Sequence, residues 1–117
     1  MDWKAKNQKN KAIVWEYWQR INSAAPNELK GIFQKTFHKE INWNGSQPFN
    51  QILGVDSLIT KFWEPLKHSF PDVKREPLIL LGGMSENEEW VSGYGYMTGT
   101  FVNEWLGIPA TGKKTNI

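Results

Sequence analysis

The sequence contains no cysteine. That absence excludes disulfide staples, thiolate catalysis and cysteine-based zinc sites. No hydrophobic run approaches the ~20 residues a membrane-spanning helix needs. The N-terminus also lacks the apolar stretch of a signal peptide. A cytoplasmic protein without a membrane partner is the expectation. Histidine is scarce: His38 and His68 stand far apart and make no metal motif, so no metal is expected. No serine sits in a Gly-x-Ser-x-Gly elbow, and no carboxylate pair has the spacing of a hydrolase. The basic excess is local. Lys4, Lys6, Lys9 and Lys11 oppose only Asp2 in residues 1–11, and the rest of the chain is slightly acidic. A nucleic-acid binder carries its basic residues across a face of the fold, so nucleic acid is not an expected partner. Residues 1–11 read as a basic, flexible leader.

Aromatics, in contrast, are plentiful: 14% of 117 residues, seven of them tryptophan. The length suits one domain, which buries roughly two-thirds of its unfolded surface. In residues 12–22, Val14, Tyr17, Trp18 and Ile21 form one helical stripe. Pro26 can open a second helix, whose stripe is Leu29, Ile32, Phe33 and Phe37. Ile41–Asn44 reads as a short extended piece before the Asn44-Gly45 turn. Gly54 precedes a third helix with Val55, Leu58, Ile59, Phe62 and Leu66 on one stripe, kinked or restarted at Pro65. After residue 72 the pattern changes to strands. The apolar run Leu78–Leu81 and the period-two segment 90–101 predict a long antiparallel hairpin over 77–84 and 89–102, joined by a polar turn. Lys113–Ile117 resembles the start of another strand. Helices first and antiparallel strands afterwards predict an α+β layer fold.

The hairpin's second arm has two chemically different faces. Trp90, Ser92, Tyr94, Tyr96, Thr98 and Thr100 alternate with Val91, Gly93, Gly95, Met97, Gly99 and Phe101. Glycines on one strand face mark a close approach. Here they predict either a groove floored by backbone, a helix packed against the sheet, or a sharp bend. Tryptophans at element ends, Trp43, Trp63, Trp90 and Trp105, serve either as core or as the rim of a pocket for a flat apolar ligand. Phe62, Arg75, Tyr94 and Met97 complete the candidate pocket. His68 is the candidate general acid/base, because imidazole titrates near neutrality.

Several stretches in order carry a family pattern. They are Phe62-Trp63-x-Pro65-Leu66, Ser69-Phe70-Pro71-Asp72-Val73-x-Arg75, Gly82-Gly83, Trp90-Val91, Gly93 and Gly99, and Trp105-Leu106-Gly107-Ile108-Pro109-x-Thr111-Gly112. Together with Trp43, Gly45, Pro48, Asn50 and Gly54 they resemble the SnoaL-like polyketide cyclase family, in the nuclear transport factor 2-like superfamily. The resemblance spans residues 12–117. It implies a cone of helices packed on a curved antiparallel sheet, a cystatin-like roll, around an apolar pocket. It also implies a small hydrophobic ligand, a homodimer through the sheet, and cofactor-free aldol-type ring closure by an acid/base aspartate. No position here matches that aspartate. In the family it lies on sheet strands beyond the Thr-Gly loop, so the last strands are expected to be missing from this chain. Three functional readings stay open: a cyclase- or isomerase-like enzyme, a non-catalytic binding or dimerisation module, and an inactive piece of a longer protein.

Overall fold

The computed structural model describes residues 2–117. Asp2 caps the first helix, its Oδ1 accepting from the backbone N–H of Lys4 at 3.1 Å and of Ala5 at 3.2 Å. Helix α1 then runs Trp3–Ser23. The lysine-rich stretch expected to be a flexible leader is thus the first half of this helix. The reason is packing as well as capping: Asn7 is buried on the same helical face as Val14 and Trp18, while Lys4, Lys6 and Lys9 stay in solvent. A 3-10 turn, Pro26–Glu28, leads into α2, Leu29–Thr36. Leu29 and Phe33 of α2 are fully buried.

Two short strands follow, β1 at Asn42–Asn44 and β2 at Gln51–Leu53, paired antiparallel. β2 escapes sequence patterning because three residues are too few to display a period. The next helix is nearly continuous: α3 at Val55–Leu58, a π-helical turn at Ile59–Trp63, and α4 at Glu64–Ser69. Pro65 has no N–H to continue the α-ladder, and its ring crowds the carbonyl four residues back. The widened turn just before it accommodates both; there the Glu64 N–H donates to the Ile59 carbonyl, five residues away. Lys67 on α4 is buried. Its Nζ donates to the carbonyls of Ile21 and Ala24, 2.9 Å each. Those carbonyls lie at the end of α1, where helical partners run out; that of Ile21 also accepts from the Ala24 N–H at 3.4 Å. Burial pulls the Lys67 amine below its ordinary value, with a smaller opposing pull from Glu28.

The main sheet contains β3, Lys74–Ser85, β4, Glu88–Thr100, and β5, Lys114–Asn116, in the order β3-β4-β5. β3 and β4 form the expected hairpin. Glu86 and Asn87 turn it with φ of 52° and 66°, the left-handed geometry that tight hairpins need. β5 pairs only with Thr98–Thr100. The helices cover one face of this sheet. The core is one cluster that runs from Tyr17, Trp18 and Ile21 through Phe33, Leu58 and Trp63 to Phe70 and Phe101. The radius of gyration, 15.5 Å, exceeds the roughly 13–14 Å of a compact domain this long. The molecule measures 52 × 28 × 25 Å, an elongated shape to which the 21-residue α1 and the long β3–β4 hairpin both contribute.

Candidate functional site

The covered face of the sheet is lined by its smallest residues. A Cβ added at Gly93 would run into the ring of Trp18. One added at Gly99 would lie 2.9 Å from the Cβ of Phe70, and one at Gly82 would lie 3.0 Å from the Cβ of Asn7. Two of these glycines therefore mark where α1 approaches the sheet, and the third where Phe70 does. On β4 that supports the helix-packing alternative at Gly93, whereas a Cβ at Gly95 would run into the backbone of Glu76 and Pro77, at the register shift of β3, which supports the bend alternative there.

The packing is incomplete beside Gly93, where a cavity of about 280 Å³ remains. Val14, Tyr17 and Trp18 of α1 form one wall. Thr36, Phe37 and Ile41, at and beyond the end of α2, form a second, and Trp43, Leu58 and Trp63 a third. Arg75, Val91 and Gly93 form the floor. The volume lies just below the usual range for small-molecule pockets, about 300–1,000 Å³. It suits a compact ligand of a few fused rings.

Arg75 is the one charged residue among those lining the cavity. Its backbone is clamped to α1 by Asn22. The Arg75 N–H donates to Asn22 Oδ1 at 2.7 Å, and Asn22 Nδ2 donates to the Arg75 carbonyl at 2.9 Å. The guanidinium carbon sits 4.4 Å from the Trp18 ring centroid, a cation–π contact. The ion pairs among the described residues are Arg20–Glu16 and Lys30–Asp56, so Arg75 has no carboxylate partner there. Burial lowers its pKa, but an arginine stays protonated at any physiological pH. Tyr17 responds the other way: burial pushes its phenol well above the ordinary 10, and the nearby Arg75 charge offsets only part of that. Tyr17 is thus a neutral hydroxyl.

The sequence-predicted pocket residues divide into three groups. Trp43, Trp63 and Arg75 line the cavity. Phe62 and Trp105 stand behind it: the Phe62 ring is 4.8 Å from Trp43, 5.4 Å from Trp63 and 6.5 Å from Trp105. Met97 packs half-buried against the core. Trp90 and Tyr94 require a correction. They are 56% and 62% exposed, on the opposite face of β4. Val91 and Gly93 point to the cavity, so their alternate neighbours must point away. The inner side has no room for such rings because Trp18 already fills it. His68, the acid/base candidate, is exposed at the end of α4 and does not line the cavity. Asn103 Nδ2 donates to its backbone carbonyl at 2.8 Å. His38 also lies outside the cavity, its Nδ1 accepting from the Glu40 N–H in a turn.

Tyr17, Trp18, Phe37 and Val91 were not foreseen as pocket residues, since a helical or strand stripe reads as core. The usable signal was Gly93, which marks where a large ring approaches. Among the described residues that line the cavity, none is Asp, Glu or His. No group of three potential metal-ligating side chains comes together among the described residues. The arrangement can hold an apolar ligand and offer it a cation and a neutral hydroxyl, but supplies no general base.

No protein-family model matches the chain, and no curated protein matches it in sequence. Solved structures do. AclR of Streptomyces galilaeus, a proposed hydroxylase, superposes with a TM-score of 0.70 at 24% identity. That match covers 94% of this chain and 65% of AclR. A structure from Jannaschia sp. CCS1, a proposed SnoaL-like polyketide cyclase, superposes with a TM-score of 0.69 at 16% identity, covering 94% of this chain and 72% of the other. The chain thus spans about two-thirds to three-quarters of their length. It has the fold they share, the α+β, nuclear transport factor 2-like arrangement that the resemblance implied.

Proposed function

We propose that this chain is a binding domain for a compact, flat, hydrophobic small molecule. The observation that carries the reading is the cavity of about 280 Å³ walled by Trp18, Phe37, Trp43 and Trp63. Aromatic walls with few polar groups are the usual chemistry of such sites. A neutral fluorescent naphthylamine tests it: binding should raise probe emission and quench tryptophan. Val91→Phe fills the cavity floor, and should weaken binding at least about tenfold, or 1.4 kcal/mol. Equal binding by Val91→Phe and wild type, with unchanged melting temperature, would remove the cavity from consideration.

A cyclase-type reaction is the second reading. It is favoured by the fold shared with a proposed SnoaL-like polyketide cyclase and by the Arg75 and Tyr17 donors, which suit a developing oxyanion. The base would have to come from outside the cavity-lining residues.

The outer face of the sheet suggests a homodimer. Ile79, Leu81, Trp90, Tyr94 and Tyr96 are each more than half exposed and share that face. Contiguous apolar surface of this kind usually marks an interface. Light scattering at micromolar concentration should give twice the chain mass, and Tyr94→Asp should return it to a monomer. A wild-type monomer under those conditions removes the dimer.

A further inference from the structure

We infer that the cavity selects ligands carrying an anionic oxygen group, a carboxylate, phenolate or enolate on a flat ring system, and that Arg75 is the residue that recognises it. The inference rests on the cavity reading above and names its ligand class. Its basis is a charge without a counter-charge. Arg75 is half-buried, so its guanidinium loses part of its hydration, and a charge deprived of water gains from a partner of opposite sign. Arg75 stands clear of both ion pairs described above, and stacks on Trp18 instead. The cation–π contact offsets part of the lost hydration but does not neutralise the charge. Tyr17 does not neutralise it either, since its buried phenol keeps its proton.

The position is also preorganised. The two Asn22 hydrogen bonds fix the Arg75 backbone, and the Trp18 ring fixes the plane above which the guanidinium lies. A fork held in one place meets an incoming carboxylate with little further ordering cost. An arginine there becomes favourable when the ligand supplies the opposite charge.

The test compares two nearly isosteric probes by titration calorimetry, 2-naphthoate and its neutral amide 2-naphthamide. Wild type should bind the acid at least about tenfold more tightly than the amide, and added salt should reduce that preference. Arg75→Gln should abolish the preference, lowering acid affinity by a larger factor than amide affinity. Arg75→Lys, which keeps the charge but loses the planar fork, should fall between. Equal wild-type affinity for acid and amide overturns the inference but leaves the cavity reading standing. Retention of the preference in a folded Arg75→Gln overturns it as well. Failure of both probes to bind wild type overturns both readings, and binding of the amide without the acid overturns the inference alone. Should Arg75→Gln not fold, the acid–amide ratio and its salt dependence in wild type decide the matter.

Discussion

The two faces of β4 place the same strand in two environments. Inward lie Val91, Gly93, Gly95, Met97 and Gly99, with Phe101 just past the strand end; outward lie Trp90, Tyr94 and Tyr96 with polar residues between. The larger rings are on the solvent side. Gly93 is small because Trp18 occupies its space, and Gly99 because Phe70 does. Phe101 is the exception that locates the end of the contact: there the inner face meets a stacked partner, Phe70, at 4.9 Å. A strand facing a well-filled helix layer is thus lined by its small residues, and side-chain size alone does not tell inside from outside.

Substitutions on the two faces should separate sharply. Phe101→Ala removes a buried ring and should cost about 3–5 kcal/mol in a urea titration. A cost below 1 kcal/mol would mean that this end of the inner face is not core. Gly93→Val inserts atoms where Trp18 lies, and should cost about 1–3 kcal/mol and displace the naphthylamine probe. Binding that survives in a folded Gly93→Val would detach the cavity from the glycine face.

A smaller effect is expected at the strand end, with a definite pH signature. Asp72 accepts from the Thr100 N–H at 2.6 Å and from its hydroxyl at 2.7 Å. These bonds hold its carboxyl below the ordinary 3.8. A depressed carboxyl contributes fully above its unfolded value, and the contribution is lost as pH falls through the folded value. The stability gap between wild type and Asp72→Ala should therefore be widest near neutrality and close on acidification below 3.8. A gap that is constant across this range would assign the effect to packing. Smallest of all, Tyr94→Ser on the outer face should shift monomer stability by less than about 0.5 kcal/mol when measured at high dilution. A larger loss there would place that ring in the core of the folded chain.

Local order was legible. The stripe Val14–Ile21 predicted the second half of α1, Pro26 the start of the next helix, and the polar pair Glu86-Asn87 the hairpin turn. The first half of α1 was hidden because its lysines resemble a solvated tail, and its packing partner, Gly82, lies 75 positions beyond Asn7. The site was only partly legible. Trp43, Trp63 and Arg75 were identified by residue type, but Tyr17 and Trp18 lay concealed within an ordinary amphipathic stripe.

The alternation along β4 was determined by the sequence alone, since successive strand residues must point to opposite faces. Which face turned inward was decided by the tertiary structure. Both faces are apolar enough to be buried, and only the approach of Trp18 to Gly93 makes one of them the floor of a cavity and leaves Trp90 and Tyr94 in solvent.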